Sequence, residues 1–364
     1  MTPKERNEKV SKLMEELYTS ANDTEFVFDD SEYKRSLDFL FTTTAWGFRE
    51  IILVVVAGMI LDSKYRASTG LYDCEPRAVY EGPIKEFLIK YNIPHRQSGP
   101  LNIAKAAKGL DETWAAQRRP QAVATEVLKI VNYMENSPSE EKTKNVGISL
   151  LRKLIAESKR VESLSVEIEP TEDPNRLFFL CSELIRKTPD SGNTPQKIAA
   201  FLLKNYHLAM STGVVVTGEN DRASVTSTTS KKPGDVSEES AAGEIYKVYE
   251  ITVKPFDIAR IRDSYDCIRA YNEANGCDLN EVIVICRPED CPSDIQSSGL
   301  HLYMGSYEYQ NIIYYYWNIF EWVADTLQRM TGVAKSSFYS DLNTYIADVN
   351  TAEAVKTLWS QLHQ

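Results

Sequence analysis

The residue types best suited to chemistry lie between residues 231 and 254. Asp235 follows a Pro-Gly turn, and a Glu-x-Thr-x-Lys run begins fifteen positions later in a segment typical of a β-strand. Because side chains alternate between the faces of a strand, Glu250, Thr252 and Lys254 should share one face. Carboxylates bind a hard divalent cation, and a neighbouring amine favours ionisation of an attacking water. This set predicts metal-dependent hydrolysis of a phosphodiester.

A solvated sheet surface is the alternative interpretation of the same strand, since many strands carry Glu and Lys on an outer face. The segments that follow favour the functional interpretation. Pro255 ends the strand, and apolar residues recur at helical spacing from Ile258 to Tyr271. The apolar run from Glu281 to Cys286 predicts a further strand. Asp235 itself lies in a segment rich in Gly, Ser and Thr, where loops present functional groups.

In these residues the chain resembles the PD-(D/E)XK nucleases, and more narrowly type II restriction endonucleases similar to the SacI family. The resemblance rests on residues 234–236 and Tyr249 to Lys254, together with an upstream block from about Ala45 to Pro120. One departure from the family pattern is Thr252, which stands two residues before the lysine, where the family has an acid.

The resemblance implies an α/β restriction-endonuclease-like core, a mixed sheet flanked by helices, with a helix-rich N-terminal portion. It also implies Mg²⁺-dependent cleavage of both strands of duplex DNA at a short palindromic site of the GAGCTC type, leaving 5'-phosphates. The implied metal ligands are Asp235, Glu250 and the carbonyl of Ile251. Lys254 would assist the water, and Thr252 would hold a water in the same shell.

The sequence leaves two aspects of this site open. Glu250 and Lys254 are four strand steps apart, about 13 Å, so they must converge through their long side chains or through a bend. The second metal carboxylate has competitors in the segment that precedes the strand, namely Glu238, Glu239 and Glu244. Glu250 is favoured because it shares one rigid strand face with Lys254.

A net charge of −11 is unusual for a DNA-binding protein, but a polyanion responds to local patches. Basic residues outnumber acidic ones between His95 and Lys129. Arginine forks can neutralise phosphates or reach guanine edges, although a solvated surface pair is the alternative for Arg118 and Arg119. A palindromic site requires a two-fold symmetric reader, so we expect a homodimer. The predicted DNA contacts are Arg96, Lys105, Lys108, Arg118 and Arg119.

Length and composition fit a globular protein of two domains or one elaborated domain, with 364 residues of which 43% are hydrophobic and 26% charged. The apolar run Ile51 to Leu61 is too short for a bilayer, which takes about 20 helical residues, and predicts a buried helix or a central strand. The N-terminus lacks a secretory signal, and the six cysteines lack C-x-x-C spacing. These features predict a cytoplasmic protein with reduced, buried thiols rather than a zinc site. A phosphate loop and a dinucleotide fingerprint are missing, so no nucleotide cofactor is expected.

The chain is predicted to divide near Thr188 to Gln196, with a helix-rich DNA-recognition portion at residues 1–190 and a catalytic portion at 191–364. The aromatic run from Tyr307 to Met330 is predicted to be a helix packed in the core, and a dimer interface is the alternative. Two other functions stay open. One is a non-catalytic DNA-binding or assembly protein with a degenerate nuclease fold, and the other is a nuclease of other DNA substrates.

Overall fold

The structure is a computed structural model that describes residues 1–23, 32–96, 99–166, 168–220 and 232–364. Within these ranges the chain forms two compact units, Met1–Ser163 and Leu164–Gln364. Most of the Ser/Thr-rich segment that precedes Asp235 lies outside the described residues. In the same ranges, no helix has both the length and the apolar character needed to cross a membrane.

Every regular element described in the first unit is helical. The longer helices alternate with short ones and with a π-helical turn at Tyr80–Ile84. The helices are α1 (Pro3–Asn22), α2 (Glu32–Leu40), α3 (Gly47–Leu61), α4 (Ala67–Gly70), α5 (Pro76–Val79), α6 (Lys85–Lys90), α7 (Gly99–Ile103), α8 (Glu112–Gln117), α9 (Gln121–Glu135) and α10 (Glu140–Glu162).

Helix α3 lies at the centre of this unit. Its residues from Ile51 to Val56 are each at most 1% exposed. A helix that is apolar on all sides must be covered on all sides, and α1, α7, α9 and α10 pack around it. The sequence leaves a buried helix and a central strand open for this run, and the structure has the buried helix.

The second unit combines six helices and seven strands within the described residues. Its helices are α11 (Pro174–Lys187), α12 (Asn193–Met210), α13 (Ile258–Asn275), α14 (Ile319–Arg329), α15 (Gly332–Ala347) and α16 (Glu353–Leu362). Its strands are β1 (Val215–Thr217), β2 (Val236–Glu239), β3 (Ile245–Thr252), β4 (Glu281–Cys286), β5 (Gln296–Ser297), β6 (Tyr303–Tyr309) and β7 (Ile312–Asn318).

All seven strands form one mixed sheet in the order β1-β2-β3-β4-β7-β6-β5. The neighbours β1, β2 and β3 are antiparallel, β3, β4 and β7 are parallel, and β7, β6 and β5 are antiparallel. A β-bulge between Glu238 and Glu239 interrupts the β2–β3 register near the hairpin turn. The predicted mixed α/β class is confirmed.

Helices cover both faces of the sheet. Ile261 and Ile268 of α13 pack on one face with Val282 and Val284 of β4. Tyr249 of β3 faces the other side, in a larger core that includes residues of α11, α12, α14, α15 and α16. Central strands of such a sheet are buried on both faces, which excludes the solvated-surface interpretation for the C-terminal half of β3.

The sequence itself determines where α13 begins and ends. Asp257 caps its N-terminus, since its carboxylate accepts the backbone N–H groups of Ala259 and Arg260 at 3.1 and 3.2 Å. Gly276 follows its last turn in the left-handed conformation, with φ of 65°, where a residue without a Cβ is favoured. The strand, helix, strand order predicted from the sequence is present as β3, α13 and β4.

The predicted aromatic helix from Tyr307 to Met330 is wrong over its first half. Residues 303–318 form the β6–β7 hairpin, which turns at Gln310 with φ of 57°, and only the second half is helical, as α14. Burial along β7 alternates with a period of two, so the consecutive aromatic residues face opposite sides of the sheet. The hydroxyl of Tyr314 donates to the carbonyl of Ile261 in α13, and that of Tyr316 donates to the carbonyl of Phe256, just before α13 begins.

The two units divide between Ser163 and Leu164, earlier than the boundary predicted near residue 190. The reason is that α11 packs against α12, α14 and α16 of the second unit. The segment predicted as the boundary instead makes a tight turn before α12, with positive φ at Asp190 and Ser191.

Candidate active site

Asp235 directly precedes β2 and lies beside the stretch of β3 that contains Glu250. Val236 of β2 pairs with Tyr249 of β3 in an antiparallel register. One residue further on, the N–H of Asp235 donates to the carbonyl of Tyr249 at 2.9 Å, and the N–H of Ile251 donates to Oδ2 of Asp235 at 2.9 Å. The Asp235 carboxylate therefore lies along the edge of β3, close enough for its charge to act on Glu250. The two side chains form what we call the carboxylate pair.

The carboxylate pair lies near the edge where the parallel strands end. Thr252, Cys286 and Asn318 are the last residues of β3, β4 and β7, and they occupy one row of the register. Glu250 is two residues before that row. Groups at the carboxyl ends of parallel strands meet at one edge, where ligands of open α/β sheets bind.

The backbone of Asp235 is held from the side of α12. The buried side chain of Gln196 donates through Nε2 to the carbonyls of Asp235 and Gly218, each at 3.3 Å. Gly218 has φ of 102°, and a Cβ there would clash with the carbonyl oxygen of Asp235. Only glycine allows this close approach. The position of Asp235 therefore depends on two residues that no sequence motif marks.

Glu250 is 5% exposed, and its Oε1 accepts a hydrogen bond from the hydroxyl of Ser264 at 3.2 Å. Burial, and then the negative charge of Asp235, raise the pKa of Glu250 to about 8, although Arg260 and Ser264 act in the opposite direction. A carboxyl with this pKa binds a proton readily near neutral pH. Perturbation of this kind is common at functional sites.

The hydroxyl of Thr252 is engaged in protein contacts. It accepts the N–H of Lys254 at 3.1 Å and donates to the carbonyl of the same residue at 2.9 Å. It also accepts a hydrogen bond from Nη1 of Arg260. This local turn ends β3 at Thr252, two residues earlier than expected, and the exposed Lys254 lies beyond the strand. The role of Thr252 in holding a water stays a prediction.

The three competing acids lie elsewhere. Glu238 accepts the hydroxyl of Tyr249 at 2.7 Å and approaches Nε2 of His207 within 3.1 Å, on the face of the sheet that packs on α12. Glu239 accepts the hydroxyl of Thr217 at 2.6 Å. Glu244 is exposed at the opposite end of β3. Of the four acids, Glu250 is the one whose pKa the charge of Asp235 raises.

The donor set of the carboxylate pair fits a hard divalent cation such as Mg²⁺. Two neighbouring carboxylates, with the Ile251 peptide beside them, offer the oxygen ligands that such cations prefer. In the described parts of the chain, no group of three or more His, Cys, Asp or Glu side chains could hold a metal ion. A cation here would therefore depend on the pair, a carbonyl and water.

The cysteines agree only in part with the prediction of reduced, buried thiols. None of the six, all of which are described, forms a disulfide. Cys181 and Cys286 are buried, whereas Cys277 is exposed, contrary to the prediction. Cys277 follows directly after Gly276, where α13 ends, so its exposure reflects a position in a surface turn rather than in the core.

Comparison with known proteins adds no family assignment. No protein-family model matches the chain, and no curated protein matches it.

Three of the five predicted DNA contacts are brought together in the first unit. Nη2 of Arg118 donates to the carbonyl of Lys105 at 3.0 Å, and Nη1 of Arg119 donates to the carbonyl of Arg118 at 2.9 Å. Lys105 and Arg119 are exposed, whereas Arg118 is half-buried. Lys108 is exposed nearby in the chain. Arg118 thus has a structural role, and Arg119 is the better candidate for a phosphate contact.

Arg96 belongs to a different environment. Its N–H donates to Oε1 of the buried Glu50 at 2.5 Å, and its carbonyl accepts the hydroxyl of Tyr80 at 2.7 Å. Its guanidinium lies 5.8 Å from the ring of Trp46. The structure therefore holds the backbone of Arg96 firmly, and a DNA contact by its side chain stays a prediction.

A cavity of about 450 Å³ lies between α12 and α15. Its lining is polar and includes Lys197, Lys204, Asp341 and Tyr345. Neither member of the pair contributes to it. A duplex binds across a surface rather than inside a cavity of this size, so this cavity does not identify the site.

Sequence reasoning missed Arg260, Ser264 and Gln196. Arg260 and Ser264 are four residues apart on α13, so they lie on the same helical face. The predicted helix from Ile258 already contains this signal, because both polar residues neighbour Ile261 on the inward side. Gln196 has no comparable signal, since its contacts are to backbone atoms distant in sequence.

Proposed function

We propose that this protein is a type II restriction endonuclease of the PD-(D/E)XK kind, which hydrolyses duplex DNA at a short palindromic site with Mg²⁺. The observation that carries the proposal is the carboxylate pair. The family resemblance implies Asp235 and Glu250 as ligands of one cation, and the two residues lie close together: Asp235 accepts the N–H of Ile251, the neighbour of Glu250, and its charge acts on Glu250. Two neighbouring like charges, one of them buried, are destabilising, so their presence calls for a functional reason.

In this proposal Asp235, Glu250 and the carbonyl of Ile251 hold the cation, which supplies Lewis-acid polarisation of the phosphate. Lys254 lies just past the strand end, within a bend that would bring its long side chain back toward the edge, and there it would orient the water. The basic group around Arg119 would neutralise backbone phosphates. A homodimer would match the two-fold symmetry of a palindrome.

Plasmid cleavage in the presence of Mg²⁺, followed by sequencing of the ends, tests the proposal. Asp235→Asn and Glu250→Gln should each suppress cutting by orders of magnitude, because each removes a metal-binding charge without changing shape. Glu239→Gln and Glu244→Gln are matched controls on the same hairpin and should cut normally. Normal cutting by the first two variants, or loss of cutting in the controls, would contradict the assignment.

A non-catalytic DNA-binding protein with the same fold is the second candidate. It is favoured by Thr252, whose hydroxyl is occupied by Lys254 and Arg260 at the position where the family has an acid. Sequence-specific binding without cleavage under any divalent cation would support it. Cleavage without a defined site would instead indicate a nuclease of other DNA substrates.

A further inference from the structure

Arg260 is held in a fixed place beside the carboxylate pair. Its guanidinium lies over the ring of the buried Phe256, 4.7 Å from the ring centroid, and donates to the hydroxyl of Thr252. Its backbone belongs to the first turn of α13, which Asp257 caps. A stacked arginine that also donates a hydrogen bond has little freedom to move away.

The position of Arg260 relative to Glu250 follows from the strand. Thr252 is two residues after Glu250 and therefore on the same face, about 6.5 Å further along. The contact between Arg260 and Thr252 thus brings a positive charge within strong Coulomb range of Glu250. Ser264, one helical turn further along α13, donates to Glu250 itself. One face of α13 therefore supplies the hydrogen bond to Thr252 and the hydrogen bond to Glu250.

The negative charge of the carboxylate pair needs compensation when no cation is bound. Two carboxylates lie close together, one of them almost wholly buried, and the hydrogen bond from Ser264 to Glu250 comes from a neutral hydroxyl. Uncompensated charge at such a position is costly. The charge of Arg260 acts on Glu250 in the direction that favours its ionised form.

We propose that Arg260 is the resident counter-ion of the carboxylate pair. It compensates the negative charge of the pair when no divalent cation is bound, and it thereby lowers the affinity of the pair for such a cation. The second part rests on the metal site of the proposed function. Arg260 would then set the Mg²⁺ concentration at which the site fills, a regulatory role distinct from that of any metal ligand.

A double-mutant cycle in EDTA at about pH 9, where the carboxylates are ionised, tests the first part. Arg260→Gln should lower the Tm by roughly 3 °C or more, but it should have much less effect in the Glu250→Gln background, where the buried charge of the pair is gone. Arg260→Lys retains the charge and should fall between wild type and Arg260→Gln. Arg262→Gln removes an exposed arginine from the same helix and is the control.

If Arg260→Gln lowers the Tm equally in the wild-type and Glu250→Gln backgrounds, Arg260 acts through packing alone, and the counter-ion proposal is overturned. If Arg260→Gln fails to fold, recovery of the fold on adding Glu250→Gln supports the proposal, and failure to recover it overturns the proposal. These outcomes require neither a metal nor DNA.

Titration with Mg²⁺ while the Tm is followed tests the second part. The Mg²⁺ concentration that gives half of the maximal stabilisation should be roughly tenfold lower in Arg260→Gln than in wild type, since repulsion between two cations is removed. Arg262→Gln should match wild type. An unchanged midpoint in Arg260→Gln, or no effect of Mg²⁺ on any variant, would overturn control of the site by Arg260. If both tests succeed and DNA is not cut, the nuclease proposal fails and the counter-ion stands.

Discussion

Glu250→Gln should remove a pH dependence of stability that the wild-type protein has in the absence of divalent cations. Burial, and then the charge of Asp235, raise the pKa of Glu250 to about 8 from its ordinary value of 4.5. A group whose pKa is higher in the folded than in the unfolded state contributes its stability fully below the unfolded pKa and loses it as pH rises through the folded pKa. The free energy of unfolding should therefore fall between about pH 4.5 and about pH 8.

The size of this effect follows from the same two pKa values. One pKa unit corresponds to about 1.4 kcal/mol. Relative to low pH, Glu250 therefore lowers the free energy of unfolding by about 3 kcal/mol at pH 7 and by about 5 kcal/mol above pH 8. Either value is a large part of the ~5–15 kcal/mol that stabilises most proteins. Glutamine keeps the shape of the side chain and can still accept the hydrogen bond from Ser264, but it does not titrate.

Urea unfolding of wild type, Glu250→Gln and Glu239→Gln in EDTA, at several pH values, measures this directly. The wild-type midpoint should fall as the pH rises, the Glu250→Gln midpoint should fall much less, and Glu239→Gln should follow wild type. Added Mg²⁺ should restore the wild-type midpoint at high pH, since a cation compensates the ionised pair. Parallel curves for wild type and Glu250→Gln would refute the reasoning.

Three further outcomes are expected. Lys254→Met should reduce DNA cleavage by orders of magnitude with an unchanged Tm, because an exposed lysine past the strand end contributes little to folding; a large Tm loss would contradict this. Arg119→Ala should lower the slope of log affinity for DNA against log salt concentration by about one. Arg118→Ala should also lower the Tm, because Arg118 donates to the backbone carbonyl of Lys105. An unchanged slope in both variants would exclude phosphate contacts by these arginines. The amine of Lys356 donates to two carbonyls at the end of α15. Burial lowers the pKa of this amine to about 8 from its ordinary value of 10.5. The contribution of Lys356 to the free energy of unfolding is therefore present above pH 10.5 and is lost as the pH falls through 8. Lys356→Met should reduce the change in the free energy of unfolding between pH 10.5 and pH 8 by about 1–3 kcal/mol, as measured by urea unfolding at several pH values. An unchanged pH dependence in this variant would contradict the prediction.

The sequence predicts those elements whose periodicity is unambiguous. The apolar spacing from Ile258 predicts α13, and the apolar run from Glu281 predicts β4. The aromatic run from Tyr314 to Trp317 misleads, because consecutive aromatic residues fit either a buried helix or a strand that is covered on both faces. Only the burial along β7 shows the period of two. The turn at Gln310 also lacks the Asn-Gly or Asp-Gly pair that most clearly marks a hairpin.

The site is predictable to the extent that it depends on one strand. Alternation along β3 puts Glu250 and Thr252 on one face, and the turn before β2 makes Asp235 a candidate partner. Spacing alone does not reveal Arg260, because its place depends on how α13 packs across the sheet. The same holds for the hydroxyl of Thr252, which closes a turn with the backbone of Lys254 and so shortens the strand.

The bulge between Glu238 and Glu239 separates two parts of the β2–β3 hairpin that should differ in their tolerance of insertions. On its turn side, residues 240–244 are exposed or half-buried and can change in length, since an irregular step already absorbs a mismatch there. On its other side, a single inserted residue would rotate Asp235 to the opposite face of the sheet and separate it from Glu250. Relatives of this protein should therefore vary at the hairpin tip while keeping the distance along the chain from Asp235 to the bulge.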